Sequence, residues 1–449
     1  MADPKEPDLG TTGVTPRGAQ PSGTGRPPLR QLYTEIAQLV TMAGHSERPV
    51  AGSAAGKIGL IEDAYMLVEG DRVARVGRMR DLKPTLLREA TVHEVGRRVV
   101  VPGFVDPHTH ACFTGWRAQE FRQRVLGATY REIMEAGGGI LSTVEAVRAA
   151  SQGELEAALS EFLGQMLAQG TTTVEVKSGY GLATSDELKQ LRAIREVGRL
   201  QPVEVVPTFL GAHQVPPEFR NNRAGYVQLL VEEMLPAVAR AGLAEACDVF
   251  CEEGVFSVEE TRQILLRGRE LGLKVKLHAD ELAGSGGAEL AGELAALSAD
   301  HLLQPSDAGL ERLKEAGTVA VLLPGTALFL GSDRFAPARR MVEMGIPVAL
   351  ATDFNPGSSP LQSMPLVMSL ACVRMGLSPE EALVAATINA AHALGRADRV
   401  GSLEPGKQAD FVLVDAPGYL HLAYRFGAPL VEQVFKRGRS VWRRAPEQV

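Results

Sequence analysis

The sequence contains little cysteine, with four residues in a chain of 449. That number excludes the disulfide framework of a small secreted domain, where cysteines are far denser. Two of the four are close together, but no second pair completes a zinc ribbon. We therefore expect free, structural thiols, as in a protein of the reducing cytoplasm. They are Cys112, Cys247, Cys251 and Cys372.

Long apolar runs and an excess of charge of one sign are also missing. A membrane-spanning helix needs about 20 apolar residues in succession, and no run approaches that length. The net charge is −7, without a long block of either sign, which excludes the broad basic surface that binds nucleic acid. We expect a small-molecule substrate, and neither a membrane nor a nucleic acid as partner.

The N-terminal residues 1–30 lack the apolar stretch of a signal peptide. They are rich in glycine, proline, threonine and arginine, and such a segment buries too little apolar surface to order itself. We expect a disordered N-terminal extension. The remaining length suits a barrel of roughly 250 residues or more with a smaller partner domain.

Hydrophobic periodicity divides the rest of the chain into two parts. Residues 31–98 and 398–449 show short alternating strands, which predict a small β-sandwich-like domain formed by both terminal segments. Residues 99–397 alternate apolar strands with amphipathic helices, which is typical of an α/β fold with a parallel sheet. Eight such units favour a (β/α)8 TIM barrel over a doubly wound open sheet, because no Gly-x-Gly-x-x-Gly follows the first strand. The predicted barrel strands begin near Val99, Thr172, Val203, Cys247, Lys274, Ala299, Thr318 and Val348.

Histidine and aspartate occur where the predicted barrel strands end. The first strand runs into His108 and His110, and residues i and i+2 of a strand share a face. Both imidazoles should therefore point into the mouth of the barrel, where the carboxyl ends of the strands meet. Five of the nine histidines lie at such ends, which indicates a functional cluster. The other strand ends contribute His213, His278, His301 and Asp353.

This residue set suits a hydrolytic metal site. Such a site needs neutral imidazoles, a carboxylate and one open position for water. Zinc and iron both accept these ligand types, so the sequence leaves the identity of the metal open. Three nitrogens and one oxygen are supplied by His108, His110, His278 and Asp353.

Longer motifs surround these residues. They are PGFVDPHTH at 102–110, EVKSGYG at 175–181, FLGAH at 209–213, FCEEGVF at 250–256, HADE at 278–281 and TDFNPGS at 352–358. Together they resemble the amidohydrolase superfamily, and within it the branch that hydrolyses 4-imidazolone-5-propanoate to N-formimidoyl-L-glutamate in histidine degradation. The resemblance covers about residues 30–443 and leaves the N-terminal extension outside.

The resemblance implies a cytoplasmic homodimer with one zinc or iron ion per subunit, held by His108, His110, His278 and Asp353. It implies catalytic roles for Glu281, His301 and Asp353. It also implies substrate contacts by Arg117, Tyr180, His213, Glu281, Asn355, Gly357 and Ser358.

The expected chemistry divides among a few of these residues. The guanidinium of Arg117 suits the propanoate carboxylate, because both groups can form two parallel hydrogen bonds. Asp353 and Glu281 would help to deprotonate the attacking water, and His301 would stabilise the oxygen of the attacked carbonyl. Which of the two carboxylates is the main base stays open. We expect Lys177 to be structural, because the lysine that bridges two metals in some relatives follows the fourth barrel strand.

Two other functions compete with this interpretation. A deaminase acting on a nucleobase-like ring would use the same metal site but release ammonia, and Arg117 favours an acidic substrate over a neutral base. A catalytically inactive scaffold is the other alternative. The presence of all four metal ligands argues against it.

Overall fold

The computed structural model describes residues 30–128, 132 and 138–445. The predicted N-terminal extension lies outside the described residues, apart from Arg30. Within the described part, no helix combines the length and the apolarity that crossing a bilayer requires. The strands are β1 Arg30–Val40, β2 Leu60–Glu69, β3 Arg72–Arg78, β4 Thr91–Glu94, β5 Val99–Pro102, β6 Phe104–Asp106, β7 Thr171–Lys177, β8 Glu204–Ala212, β9 Ala246–Cys251, β10 Lys274–Ala279, β11 Ser298–His301, β12 Val319–Leu322, β13 Val348–Leu350, β14 Phe411–Val414, β15 Val431–Lys436 and β16 Arg439–Arg443.

Several helices that cover the barrel begin at a side chain that caps the first turn. One of them, Gln152–Ala168, starts at a capping box formed by Ser151 and Glu154 and ends before Gly170 at φ 94°. The helices of the described part are α1 Pro84–Glu89, α2 Ala118–Val125, α3 Ile140–Ala149, α4 Gln152–Ala168, α5 Thr184–Leu200, α6 Arg223–Leu229, α7 Leu235–Ala241, α8 Val258–Glu270, α9 Gly287–Glu293, α10 Asp307–Ala316, α11 Pro324–Phe329, α12 Ala338–Met344, α13 Met364–Met375, α14 Pro379–Ala385, α15 Ile388–Ala393 and α16 His421–Tyr424.

Strands β6 to β13 form one parallel sheet, in which each strand pairs with the next along the chain. The sheet closes where the residues after β13 meet those after β6. The amide of Asp353 donates to the carbonyl of His108 at 3.1 Å, and the amide of His110 donates to the carbonyl of Phe354 at 2.9 Å. The predicted closed barrel is confirmed. The closure of the barrel thus places the segment of His108 and His110 beside that of Asp353, and both segments were predicted to bind a metal.

The first barrel strand begins later than predicted. The apolar run from Val99 is divided at Gly103, so that β5 joins the second sheet and β6 joins the barrel. A Cβ on Gly103 would lie 2.3 Å from Oγ1 of Thr172, so only glycine lets the chain pass between the sheets at this point. The other seven strands begin within one residue of their predicted positions.

The second sheet combines both ends of the chain, as predicted, and we call it the terminal sheet. Its strands follow the order β16-β15-β14-β5-β1-β2-β3, and β4 also pairs with β1. Strand β1 bends at Glu35, where φ is 56°. Its first half pairs with β4 and its second half with β5. The finer domain boundaries given above stay predictions.

Candidate active site

Four side chains converge at the mouth of the barrel. Nε2 of His110 lies 3.3 Å from Nε2 of His108 and 3.4 Å from Nε2 of His278. Oδ1 of Asp353 lies 3.5 Å from Nε2 of His108 and 3.4 Å from Nε2 of His110. All four residues are buried. The structure thus brings together the complete predicted set of metal ligands, which we call the metal cluster.

The four distances between these atoms suit ligand atoms that share one cation. Ligands about 2.0–2.2 Å from a central ion are separated from one another by roughly 3.3–3.6 Å. Nδ1 of His108 lies 2.5 Å from a carboxylate oxygen of Asp300, and Nδ1 of His278 lies 3.1 Å from one of Asp248. Each Nδ1 therefore carries the proton, and each Nε2 turns a lone pair toward the cluster. Converging lone pairs repel one another unless a cation lies between them.

Burial keeps most of these imidazoles neutral, as metal binding requires. It lowers the pKa of His108 and of His110 well below the ordinary value, and neighbouring positive charge adds to the effect. His278 is the exception: burial would lower its pKa, but the carboxylate of Asp248 raises it.

Asp353 is held by its neighbours in an unfavourable backbone conformation. Its φ is 54°, in the left-handed region that costs most residues about 1–3 kcal/mol. The hydroxyl of Thr326 donates to Oδ2 at 2.6 Å, which leaves Oδ1 for the imidazoles. Burial raises the pKa of Asp353 to about 6. Such strain is typical of residues that the fold holds in place for function.

Glu281 and His301 lie next to the metal cluster, as predicted. Nδ1 of His301 is 3.5 Å from Oε1 of Glu281, and the ring of His301 is centred 5.2 Å from that of His278. Among the described groups, neither nitrogen of His301 has a hydrogen-bond partner. Burial, followed by the charge of Asp353, raises the pKa of Glu281 to about 8. A carboxyl group with that pKa can accept and return a proton near neutral pH.

Two further predicted residues form one wall of the site. The ring of His213 stacks on that of His110, with centroids 5.0 Å apart, and its Nδ1 lies 3.0 Å from the carbonyl of Gly179. The ring of Tyr180 is centred 6.0 Å from that of His110. On the other side, a cavity of about 260 Å³ is lined by Glu281, His301 and Thr326 together with residues of the following loops. A larger cavity of about 520 Å³ lies in the terminal sheet, away from these groups.

Arg117 reaches the site, but one edge of its guanidinium is already occupied. Nε and Nη2 donate to Oε2 of Glu120 at 2.9 and 2.7 Å. Nη1 lies against the backbone of Gly357, where a Cβ would be only 2.0 Å away. Sequence reasoning identified Arg117 and Gly357 but missed Glu120, since a charged pair three residues apart on a helix is common on any surface.

Asn355 and Ser358 build the turn that carries Gly357. The side-chain oxygen of Asn355 accepts from the amides of Gly357 and Ser358, each at 2.8 Å. Its side-chain nitrogen donates to the carbonyl of Asp353 at 2.7 Å and to the hydroxyl of Ser358 at 2.9 Å. Asn355 therefore shapes this side of the site. Its direct contact with a substrate stays a prediction.

A buried group of charged residues below the metal cluster was not predicted to be functional. Two members, Asp248 and Asp300, contact imidazoles of the metal cluster, and Lys177 lies near both of these carboxylates. Burial would lower the pKa of Lys177, but Asp248, Glu175 and Asp300 outweigh it and raise the pKa. The sequence does carry a signal, because polar residues alternate along otherwise apolar strands and so share the inner face of the barrel. The members are Glu175, Lys177, Asp248, Lys276 and Asp300.

The sequence of this chain is similar to one known family and, along most of its length, to individual known proteins. Residues 99–441 match the amidohydrolase family. The imidazolonepropionase of Symbiobacterium thermophilum is 53% identical over 423 residues, covering 92% of this chain and 97% of that protein. The imidazolonepropionase of Shouchella clausii is 51% identical over 411 residues, covering 91% of this chain and 92% of that protein.

Solved structures with the same fold are more distant in sequence. The atrazine chlorohydrolase of Arthrobacter aurescens TC1 complexed with zinc has a TM-score of 0.70 at 18% identity, covering 92% of this chain and 95% of that one. The guanine deaminase of E. coli has a TM-score of 0.64 at 17% identity, covering 93% and 99%. At such identities the likeness shows the shared fold alone.

Proposed function

This chain belongs to the amidohydrolase family, and we propose that it acts as an imidazolonepropionase, which hydrolyses the cyclic amide of 4-imidazolone-5-propanoate to N-formimidoyl-L-glutamate. The observation that carries the proposal is the identity of about half of all residues with imidazolonepropionases along nine-tenths of the chain. The converging metal cluster and the adjacent Arg117 agree with it. The step belongs to histidine degradation.

The proposed cofactor is one zinc or iron ion per chain, held by His108, His110, His278 and Asp353. A cation of this kind polarises a carbonyl oxygen and lowers the pKa of a water molecule. The close approach of the ligand atoms, 3.3 to 3.5 Å in four pairs, supports this site. The ligand set suits both metals, and elemental analysis of the purified protein distinguishes them. A homodimer and a cytoplasmic location remain further proposals.

In this proposal the residues around the cluster bind the substrate, transfer the proton and stabilise the attacked carbonyl. Arg117 binds the propanoate carboxylate and so orients the ring. Glu281 accepts a proton from the attacking water and returns it to the ring nitrogen as the C–N bond breaks. His301, beside Glu281 and without another partner among the described groups, stabilises the oxygen of the attacked carbonyl. Tyr180 and His213 form the wall against which the ring rests.

The direct test is to incubate the purified protein with 4-imidazolone-5-propanoate. We expect loss of the ultraviolet absorbance of the substrate, with formation of one N-formimidoyl-L-glutamate for each molecule consumed. No ammonia should be released, because only a ring amide is opened. Ammonia release from a nucleobase, without turnover of the imidazolone, would support the deaminase alternative instead.

Replacing Arg117 by methionine is expected to raise KM by about 10–100-fold, because a charge-assisted hydrogen bond contributes roughly 1.5–3 kcal/mol. The change in kcat should be smaller, since the metal cluster is untouched. Steady-state kinetics measures both constants. Arg122→Met is the matched control, because Arg122 is an exposed arginine on helix α2, which begins directly after Arg117. An imidazolone without the propanoate tail should react equally with the wild type and Arg117→Met, and an equal loss on both substrates would contradict this role.

A further inference from the structure

Two imidazoles of the metal cluster are each held by a carboxylate on a neighbouring strand. Asp300 on β11 holds His108, with the oxygen and Nδ1 2.5 Å apart. Asp248 on β9 holds His278 through Oδ1, which also accepts from the backbone amide of His278. These contacts select the tautomer in which each Nε2 faces the cluster. The orientation of the ligands therefore depends on the orientation of Asp248 and Asp300.

Both carboxylates face the same ammonium group. Nζ of Lys177 lies 2.7 Å from Oδ2 of Asp248 and 3.8 Å from Oδ2 of Asp300, and Oε2 of Glu175 is also 2.7 Å away. The side chain is fully buried, so water does not compete for these contacts. Among the described residues, Lys177 is the only cation in contact with both carboxylates. It therefore connects the support of His108, which follows the first barrel strand, with that of His278 on the fifth.

The other buried lysine of this group is placed differently. Nζ of Lys276 donates to the carbonyl of Pro107 at 2.8 Å and lies 2.9 Å from Oε1 of Glu175. It is 3.8 Å from Oδ2 of Asp300. Lys276 thus supports the backbone before His108, whereas Lys177 lies between the two carboxylates that orient imidazoles.

We propose that Lys177 is a positioning residue for the metal site: it holds Asp248 and Asp300 in the orientation that makes His278 and His108 present Nε2 to the ion. The inference rests on the metal site of the proposed function. It assigns Lys177 a role beyond neutralising buried charge. Loss of this lysine should therefore weaken metal binding even in a folded protein.

The test compares Lys177→Met with Lys436→Met. Lys436 is also buried and lies 2.7 Å from a carboxylate, that of Asp410, but in the terminal sheet. Affinity for Zn²⁺, measured by competition with a chelator, should fall about 10–100-fold in Lys177→Met, as is usual when support of a metal ligand is lost. It should be unchanged in Lys436→Met. Activity of Lys177→Met should recover largely at saturating Zn²⁺.

Asp248→Asn tests the same idea if Lys177→Met does not fold. The amide oxygen of asparagine can still accept from His278, but its NH₂ group then faces Lys177 and removes the attraction. We expect weaker Zn²⁺ binding in Asp248→Asn. Zn²⁺ binding should be unchanged in the control Asp410→Asn, which loses the equivalent contact with Lys436. Wild-type affinity in either folded variant, Lys177→Met or Asp248→Asn, would overturn the role of Lys177. If the wild type itself bound no Zn²⁺ or Fe²⁺, the proposed function would fail instead.

Discussion

Replacing Asp353 by asparagine is expected to lower kcat by roughly 10³–10⁴-fold, near the upper range for loss of one acid–base group. Metal affinity should fall in the same variant. The reason is geometric: Oδ1 is the one oxygen in the metal cluster, and it lies within 3.5 Å of two imidazole nitrogens. An asparagine lacks the charge that balances the cation. The hydroxyl of Thr326 competes for its single amide oxygen.

Two measurements check this result for Asp353→Asn. One is turnover at saturating substrate, and the other is metal content after dialysis against a weak chelator. Asp410→Asn is the control, because it removes a buried aspartate charge from the terminal sheet instead. Full turnover together with full metal content in Asp353→Asn would show that the metal cluster has been misassigned.

The second large effect is expected for Glu281→Gln, with kcat lowered by about 10²–10⁴-fold and metal affinity unchanged. Glu281 contacts His301 and is not among the atoms that converge on the cation. Its raised pKa, about 8, suits a group that takes up and releases a proton near neutral pH. Glutamine keeps the size and polarity of this side chain but cannot transfer a proton.

This variant separates the two carboxylates that the sequence left unresolved. Kinetics at saturating metal should show the full loss in Glu281→Gln, whereas added metal should restore part of the loss in Asp353→Asn. Glu204→Gln is the control, because Glu204 is a partly buried glutamate paired with Arg396 at the start of β8. If Glu281→Gln retained wild-type kcat, the proton transfer would belong to Asp353, and Glu281 would only position His301.

The metal cluster could be predicted because each of its members is marked by its position in the local sequence pattern. His108 and His110 share a face by the two-residue period of a strand, and His278 and Asp353 lie where apolar strands stop. Parallel strands of a barrel end at one rim, so residues far apart in the sequence must meet there. The same reasoning placed Glu281 and His301 correctly beside the cluster.

The supporting residues were harder to recognise, although they show a related pattern. Lys177 lies two residues after Glu175, and His278 lies two after Lys276, so each pair shares the inner face of its strand. Alternation alone does not say which carboxylate meets which imidazole. That depends on strand order and on the relative height of the strands in the barrel. Glu120 was missed for a similar reason, because only the tertiary structure shows that it binds one edge of the Arg117 guanidinium.

The sequence by itself determined the eight strand–helix units, the ligand types at the strand ends and the family, because residue identity and short-range periodicity encode them. The tertiary structure alone decided the division at Gly103, the direction of each Nε2 and the perturbed pKa of Glu281. These depend on contacts between distant segments, such as that of His108 with Asp300, 192 residues away. Burial, distance and hydrogen-bond geometry exist only after the chain has closed the barrel, and they turn a set of suitable side chains into a site.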